Sequence, residues 1–253
     1  KFIKIDVTDN KKLSRYFKKF KYVVHLAAIP ILQETIKNPS KCINTNILGS
    51  QNIIDLCIKH KSKFIFASTC AVYPLNIKKK AKENDDGNFI NPYSISKKTT
   101  ENFISFYVKH LKLKAVILRF FNVYGAKQNP DSQYSAVIAK FIKSSKKNLN
   151  LELYNNGNQK RDFIHINDVC DAIYKSFKYK KFDIFNVGTG KALKIKDLAK
   201  IITKITKKGK IKKGKKVNFD AKYSCADINK IKKKMNFFPK MNIENGIKNL
   251  LNE

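Results

Sequence analysis

Short apolar runs alternate with longer amphipathic stretches along this chain, and no other feature constrains its fold as strongly. Runs rich in β-branched and aromatic residues stand at 22–26, 63–67 and 114–121. Such runs are typical of strands buried in a parallel sheet, and parallel neighbours need a helical crossover between them. The pattern therefore predicts an α/β fold built on a parallel sheet.

The remaining segments extend this pattern to the end of the chain. Further strands are predicted at 2–5, 149–154, 163–166 and 182–187, and helices at 11–20, 44–59, 94–111, 134–146, 167–177, 194–206 and 243–251. We expect the strands at 163–166 and 182–187 to return to the first sheet. The lysine-rich stretch 207–216 is predicted to be a linker.

The net charge of +34 raises the question of nucleic-acid binding. Only three of the 53 basic residues are arginines, the residue that proteins favour for bidentate and stacked contacts to bases. The lysines are spread over most of the chain, and isoleucine and asparagine are also abundant, as expected of an AT-rich coding bias. We therefore predict solvated lysine faces and no nucleic-acid partner, although the charge can help to attract an anionic substrate.

Composition also bears on the cellular setting. No apolar run approaches the roughly 20 residues of a membrane span, so we expect no membrane association. The five cysteines are scattered and include no Cys-x-x-Cys pair, which favours reduced thiols in a cytoplasmic protein and no metal site. The length of 253 residues suits one large domain or two interleaved ones.

Tyr93 and Lys97 are the strongest candidates for catalysis. A tyrosine and a lysine four residues apart lie on one helix face, where the ammonium can lower the phenol pKa and create a general base. Such a pair is common by chance in so lysine-rich a chain, and a second one, Tyr174 with Lys178, occurs. The hydroxyl of Thr69, which follows an apolar strand 24 residues before Tyr93, distinguishes the first pair. We interpret Tyr174 and Lys178 as structural.

Six motifs occur in an order that carries a family resemblance. They stand at 25–28 (His-Leu-Ala-Ala), 66–74, 93–97, 119–125, 161–165 and 185–190. In this order they resemble the extended short-chain dehydrogenase/reductase family, most closely its UDP-glucose and UDP-N-acetylglucosamine 4-epimerase branch. The resemblance covers essentially the whole chain and is specific at the family level.

The resemblance implies a doubly wound, Rossmann-type parallel sheet with a smaller, interleaved substrate-binding domain. The NAD-binding domain would comprise 1–122 and 162–190, and the nucleotide-sugar-binding domain 123–161 and 191–253. No Gly-x-x-Gly-x-x-Gly loop occurs among the nine glycines, and 2–5 would match the third strand of the sheet. We therefore expect a fragment that lacks the first two strands, in which 2–5 has lost its neighbours.

NAD is the cofactor that the resemblance implies. Its adenine would lie near Asp6 and Val7. The full set of residues that the resemblance assigns to the cofactor is Asp6, Val7, Leu26, Ala27, Ala28, Asn46, Tyr93, Lys97 and Phe120.

A UDP-sugar is the substrate that the resemblance implies, with the diphosphate near Asn122, Arg161 and Lys222. The residues assigned to the substrate are Thr69, Asn122, Ala136, Val137, Tyr154, Arg161 and Lys222. The family usually has an arginine where Lys222 stands, and the lysine keeps the charge but loses bidentate geometry.

The implied reaction is NAD-dependent epimerisation at C4 of a UDP-hexose through a transient 4-keto sugar. Thr69, Tyr93 and Lys97 would be the catalytic residues: Tyr93 takes the C4 hydroxyl proton, Lys97 lowers the pKa of Tyr93, and Thr69 shares the substrate proton. A homodimer through the helices around 44–59 and 94–111 is expected as well.

Other functions stay open. Dehydratases and decarboxylases of this family usually carry acidic residues directly after the catalytic threonine, where this chain has Cys70 and Ala71. A nucleotide-sugar reductase/epimerase resembles this chain in the Ser-Thr-Cys segment, but its catalytic histidine would be expected at 126–136, where none occurs. The third hypothesis is an inactive fragment or a lysine-rich binding protein.

Four polar residues have a structural explanation instead. We interpret His25 as a core histidine, and His165 and Cys70 as packing residues. Arg119 lies in an apolar strand, so we expect it to form a structural ion pair.

Overall fold

The structure, a computed structural model, describes residues 2–18, 20–85, 87, 91–130, 137–216 and 221–252. It divides into two compact units. Unit 1 comprises Lys1–Tyr73, Asp86–Arg119 and Ile173–Phe185, and unit 2 comprises Pro74–Asp85, Phe120–Ala172 and Asn186–Glu253.

Strands and helices alternate along most of the chain, as predicted. The strands are β1 (Tyr22–His25), β2 (Lys63–Thr69), β3 (Lys114–Phe120), β4 (Asn122–Tyr124), β5 (Asn150–Leu153), β6 (Lys160–His165), β7 (Ile184–Val187), β8 (Ala192–Lys194), β9 (Lys210–Lys213) and β10 (Tyr223–Ser224). The α-helices are α1 (Asn10–Tyr16), α2 (Leu32–Lys37), α3 (Pro39–Cys42), α4 (Gly49–His60), α5 (Pro92–His110), α6 (Val137–Lys146), α7 (Ile166–Lys178), α8 (Ile195–Thr206), α9 (Asn229–Met235) and α10 (Ile243–Asn252).

The first sheet has the strand order β1-β2-β3-β7. β1 and β2 run parallel, with Tyr22 opposite Lys63 and His25 opposite Phe66. Parallel strands joined through helices form a Rossmann-type sheet. The predicted α/β fold is confirmed, and the strand predicted at 182–187 belongs to this sheet.

The strand that apolar alternation predicted at 2–5 does not form, which agrees with the expectation that this segment has lost its neighbours. These residues are described, and they form no strand; Phe2 is 89% exposed. The edge of the first sheet is β1, so no neighbouring strand exists within the described chain to pair with this segment. Without such a partner its backbone groups are left to water, and strand geometry gains nothing.

A second sheet lies in unit 2, with the strand order β10-β6-β4 and with β8 antiparallel to β6. The expectation that the strand at 163–166 returns to the first sheet is therefore wrong. Its partners are Asn122–Tyr124 on one side and Tyr223–Ser224 on the other. Unit 2 also contains four stretches that the prediction assigned to the NAD-binding domain, namely 74–85, 120–122, 162–172 and 186–190.

The predicted linker at 207–216 is also different from the structure. Lys210–Lys213 form β9, which pairs in parallel with β5. The lysine side chains of β9 are exposed, so their charge stays in water while the backbone completes the ladder.

Each unit has its own hydrophobic core. In unit 1 the core forms between α4, α5 and the first sheet, and its fully buried members are Ile54, Cys57, Phe64, Phe66, Ile104 and Ile117. In unit 2 the core forms between α6, α8, α10 and the neighbouring strands, and its fully buried members include Tyr124, Ile138, Leu151, Leu198, Ile202 and Ile247.

The helix predicted at 44–59 is two elements. A π-helix spans Ile43–Leu48, and α4 follows from Gly49. π-Helical turns are rare and frequently mark functional sites.

No helix in the described ranges has the length and apolar content to cross a membrane.

Candidate functional site

The amino end of α5 places Tyr93 and Lys97 in unit 1. The side chain of Asn91 caps the helix by accepting a hydrogen bond from the Ser94 amide at 2.8 Å, and Pro92 occupies the first turn. Tyr93 therefore stands in the first turn and Lys97 one turn later, on the same face.

Thr69 is the last residue of β2, at the carboxyl edge of the first sheet. Its Oγ1 accepts a hydrogen bond from the Ala71 amide at 3.1 Å, and its hydroxyl lies close enough to the Tyr93 phenol to lower the pKa of that phenol. The structure therefore brings the three predicted catalytic residues together at this edge, where ligands of doubly wound sheets bind.

Lys97 is 3% exposed and is held by main-chain and ring contacts. Its Nζ donates to the Ala67 carbonyl at 2.8 Å and lies 4.7 Å from the centroid of the Phe66 ring. Burial lowers the pKa of Lys97 to about 8, against the opposing effect of the Glu101 carboxylate. The ammonium is thus easier to deprotonate than that of an exposed lysine.

The expected lowering of the Tyr93 pKa is wrong for this structure. Desolvation raises the pKa of Tyr93 to about 12, and the nearby Thr69 hydroxyl offsets only part of that rise. Lys97, which gives its hydrogen bond to the Ala67 carbonyl and is itself desolvated, does not reverse this rise. Phenolate formation therefore needs a further positive charge at the site.

A buried ion pair lies one turn beyond Lys97. Arg119 donates from Nε and Nη2 to the two carboxylate oxygens of Glu101, at 2.9 and 2.6 Å. Ser68 Oγ donates to the same carboxylate at 2.5 Å, and Arg119 Nη1 donates to the Tyr73 hydroxyl at 2.9 Å. The structural ion pair expected of Arg119 is present, and its partner Glu101 was not predicted.

Asn46 lies inside the π-helix and is buried. Its side chain accepts from the Ile29 amide at 2.8 Å and donates to the Ile29 carbonyl at 3.2 Å and Ser96 Oγ at 3.1 Å. The predicted cofactor residue thus has its amide engaged with the loop after β1 and with α5. Asn46 positions that loop.

The carboxyl end of β1 presents an apolar surface. Leu26 is 60% exposed and Ala27 is exposed, although the preceding His25 is buried, and Ala28 is half-buried. Exposed aliphatic side chains at this edge of a parallel sheet suit the flat face of a nucleotide ring. These residues fit the cofactor that was predicted for them.

Asp6 and Val7 form a turn against α4. The Asp6 carboxylate accepts from the Thr8 amide and hydroxyl at 2.8 and 2.7 Å, and the bond to the Thr8 amide is the main cause of its lowered pKa. Asn52 Nδ2 donates to the Val7 carbonyl at 3.0 Å. Gly49 packs so closely on Val7 that an added Cβ would lie 2.6 Å from its Cγ2.

Unit 2 contains a cavity of about 680 Å³ that unites four predicted substrate residues. Asn122, Val137, Tyr154 and Arg161 all line it. Ala136 lies outside the described residues. Lys222, the remaining residue predicted near the diphosphate, is exposed beside β10 and does not line the cavity.

Phe120, which was predicted to contact the cofactor, is half-buried at the end of β3.

Nine further lining residues were not predicted, and two of them, Lys140 and Gln159, contact Tyr154. Lys140 follows Val137 by three positions on α6, so both stand on one helix face, and its Nζ lies 5.7 Å from the centroid of the Tyr154 ring. Gln159 Nε2 donates to the Tyr154 carbonyl at 3.1 Å. The i, i+3 spacing from Val137 is the signal that would have identified Lys140.

The position of Arg161 is fixed by its neighbour Asp162. The buried Asp162 carboxylate accepts from the amides of Thr189, Gly190 and Ala226 at 2.8, 2.9 and 3.1 Å. Asn122 Nδ2 donates to the Asp162 carbonyl at 2.9 Å. These bonds hold β6 in register, with Arg161 at the cavity.

His25 and His165 are buried, as expected of core and packing residues, and the second tyrosine–lysine pair is exposed. Burial lowers the pKa of His25 to about 4, and its Nε2 bonds Ser50 Oγ at 2.9 Å. His165 is buried, and its Nδ1 accepts from the Asn167 amide at 3.2 Å. Lys178 Nζ lies over the exposed Tyr174 ring.

Among the residues that the structure describes, no group of three or more His, Cys, Asp and Glu could hold a metal ion.

Comparisons with known proteins agree with this geometry. The sequence profile of the NAD dependent epimerase/dehydratase family matches residues 1–188. A UDP-glucuronate 4-epimerase of Thermodesulfobacterium geofontis is 31% identical over 260 residues, which cover 100% of this chain and 78% of that protein.

Two solved structures are similar over nearly the whole chain. UDP-glucose 4-epimerase of Thermotoga maritima with UDP-glucose has a TM-score of 0.94 and 29% identity, covering 99% of this chain and 83% of that one. UDP-glucose 4-epimerase of Thermus thermophilus in complex with NAD has a TM-score of 0.89 and 26% identity, covering 98% and 82%.

Proposed function

Because this chain belongs to the NAD dependent epimerase/dehydratase family, we propose that it inverts C4 of a UDP-hexose with NAD as its cofactor. The observation that carries the proposal is the cluster of Thr69, Tyr93 and Lys97 at the carboxyl edge of the first sheet. An alcohol that is to be oxidised needs a base for its proton at the place where its hydride leaves.

Unit 1 supplies the cofactor contacts. The apolar loop Leu26–Ala28 contacts the nicotinamide nucleotide, and Asn46 holds this loop in place by its hydrogen bond to the Ile29 amide. The turn at Asp6 and Val7 contacts the adenine end of the cofactor. When bound, NAD⁺ supplies a hydride acceptor for C4 and a positive charge that favours the Tyr93 phenolate.

Tyr93 and Thr69 handle the proton. The Tyr93 phenolate takes the proton of the C4 hydroxyl as the alcohol becomes a ketone, and the neutral phenol returns it when the ketone is reduced. The Thr69 hydroxyl, which lies near the Tyr93 phenol, donates to the same sugar oxygen and orients it. Lys97 stabilises the phenolate by its charge, while the Ala67 carbonyl keeps its Nζ in place.

Unit 2 supplies the grip on the nucleotide. Arg161 and Lys140 bring positive charge to the diphosphate, and Tyr154 offers an aromatic face to the uracil. Inversion requires the sugar to present either face of C4, so the binding energy must come from the UDP part. A cavity fixed by β6 and α6 meets that need.

The choice among reactions of the family rests on the segment after Thr69. Cys70 and Ala71 stand there, and neither offers the carboxylate that an elimination needs for its second proton transfer. A nucleotide-sugar reductase/epimerase is the second candidate, favoured by the half-buried Cys70 thiol beside Thr69.

Cytoplasmic location remains a prediction from the cysteine pattern.

The test is product identification. We expect the protein, incubated with NAD⁺ and in turn with UDP-glucose, UDP-N-acetylglucosamine and UDP-glucuronate, to form the 4-epimer of at least one of them, seen by proton NMR. A 4-keto-6-deoxy sugar would instead identify a dehydratase, and net consumption of reduced cofactor a reductase. Absence of all three products would contradict the proposal.

We also propose a homodimer through the helices around 44–59 and 94–111. Support comes from large apolar side chains that are exposed on these elements: Leu48, Ile95, Phe103 and Phe106. Exposed apolar patches of this kind mark association surfaces.

A further inference from the structure

Unit 1 contains a second cavity, at the edge of the first sheet opposite to Thr69. Its volume is about 800 Å³, and its lining includes Tyr22, Lys63 and Lys114, the first residues of β1, β2 and β3. We call it the basal cavity. Since β2 has seven residues, the basal cavity lies about 20 Å from the catalytic hydroxyl of Thr69.

The lining of the basal cavity is strongly basic. Seven of its sixteen residues are lysines, against 50 of 253 in the whole chain, and none is acidic. At the frequency of lysine in the whole chain, sixteen residues would include about three lysines. The local concentration therefore exceeds what the composition of the chain explains.

Lys63 has a structural task, which separates it from the other six. Its Nζ donates to the carbonyls of Ser176 and Phe177 at 2.6 and 3.4 Å and also to that of Tyr179, so it satisfies the carboxyl end of α7. The other six lysines are exposed, among them Lys61, Lys180 and Lys181. In the described chain none of these six forms an ion pair with a carboxylate.

Helix ends at the basal cavity oppose this charge without cancelling it. α4 and α7 both end there, and each carboxyl terminus carries about half an elementary negative charge. The nearest acidic side chain in sequence, Asp183, accepts a hydrogen bond from the Tyr179 hydroxyl at 2.5 Å. The seven lysines outweigh these negative charges.

Aromatic rings form the rest of the wall. Five of the sixteen lining residues are phenylalanine or tyrosine. The rings of Tyr22 and Phe177 stack at 4.6 Å, and Lys21 Nζ lies 5.4 Å from the Tyr22 centroid. Lysines interleaved with aromatic faces are the chemistry that recognises phosphates joined to a base.

We propose that the basal cavity binds a small polyphosphate anion, free or as the phosphate chain of a nucleotide. The volume lies within the range of small-molecule sites, about 300–1,000 Å³, which favours a compact ligand over a nucleic-acid strand. The site is separate from the substrate cavity of unit 2, since the two share no lining residue.

The test uses inorganic triphosphate and ATP as probes, titrated calorimetrically at about 150 mM salt, where diffuse attraction between exposed charges is screened. The basal variant is Lys114→Glu with Lys180→Glu and Lys181→Glu. Its matched control, Lys207→Glu with Lys208→Glu and Lys212→Glu, changes the net charge equally on exposed residues of unit 2. Circular dichroism checks that both variants fold.

We expect one saturable site, with affinity at least about tenfold weaker in the basal variant and within about twofold of the parent in the control. Equal affinities for the two probes would identify a free polyphosphate as the occupant, and tighter ATP binding a nucleotide. The proposal is overturned if neither probe saturates, if both variants weaken binding alike, or if an oligonucleotide binds far more tightly than either probe.

Discussion

Arg119 and Glu101 join β3 to α5 through two hydrogen bonds, from Nε and Nη2 to the two carboxylate oxygens, and each side chain is only 1% exposed. Glu101 follows Lys97 by one helical turn, and Ser68, which bonds the same carboxylate, precedes Thr69. The ion pair therefore fixes both elements that carry the catalytic residues.

Substitution of Glu101 by Gln should destabilise the fold strongly. It leaves the Arg119 guanidinium buried without a counter-charge, a change that costs about 3–5 kcal/mol in other proteins. The free energy of unfolding in urea measures the effect.

The matched control is Glu34→Gln, which breaks the exposed pair between Glu34 and Lys41. Exposed pairs contribute about 0–1 kcal/mol, so this variant should unfold close to the parent. A loss no larger in Glu101→Gln than in Glu34→Gln would show that the buried pair contributes nothing to stability.

The stability that depends on Lys97 should change with pH. Its pKa is about 8 in the folded chain and 10.5 when exposed, so below pH 8 folding carries the cost of burying the ammonium. As the pH rises from 8 to 10.5 the folded form releases its proton first, and the parent gains about 3 kcal/mol relative to Lys97→Met. Urea unfolding at several pH values measures the difference.

Lys109→Met is the control for this experiment, since Lys109 is exposed on the same helix. The difference in stability from the parent should change with pH more for Lys97→Met than for this control. A difference for Lys97→Met that is the same at every pH would contradict the lowered pKa of Lys97.

Arg161 should dominate the affinity for the nucleotide. Hydrogen bonds to charged groups contribute about 1.5–3 kcal/mol, so Arg161→Ala should weaken UDP binding by about 10- to 100-fold in calorimetry. The neighbouring Lys160 is exposed, and Lys160→Ala should bind UDP almost as well as the parent. Equal losses in the two variants would point to general charge instead of a specific contact.

The proposed homodimer predicts that Phe106→Lys is monomeric. Phe106 is 54% exposed on α5, and a charge in an apolar interface costs more than the contact gains. Light scattering after gel filtration gives the mass. The control is Tyr174→Lys, which changes an exposed ring on α7 and should leave the dimer intact. A parent protein that is monomeric in solution would contradict the proposed homodimer.

Local patterning was sufficient to predict most elements of the fold. β1, β2 and β3 lie where the apolar runs predicted them, and α5 begins at Pro92, two residues before the predicted start of the helix. The pairing of β6 was not predictable in this way, because its apolar residues suit either sheet and its partners come from distant segments. β9 was missed because exposed lysines hide the ladder that its backbone forms with β5.

The sequence predicted which residues form the site, but it did not predict their pKa values. Thr69, Tyr93 and Lys97 lie close together in the structure. Desolvation nevertheless raises the pKa of Tyr93, and the spacing of residues along the sequence does not show how deeply a side chain is buried. Glu101 was missed for a related reason, since its partner Arg119 lies 18 positions away on another element. Spacing identifies residues on one helix face, and only the fold shows which charges become buried.

The most direct test of the proposed reaction compares the parent with Tyr93→Phe, using Tyr174→Phe as the matched tyrosine control. We expect turnover of the UDP-hexose to fall by at least about 100-fold in Tyr93→Phe, because the base for the C4 hydroxyl proton is lost. UDP affinity should stay within about twofold, since the substrate cavity belongs to unit 2. Turnover by Tyr93→Phe at the rate of the parent and of Tyr174→Phe would contradict the account.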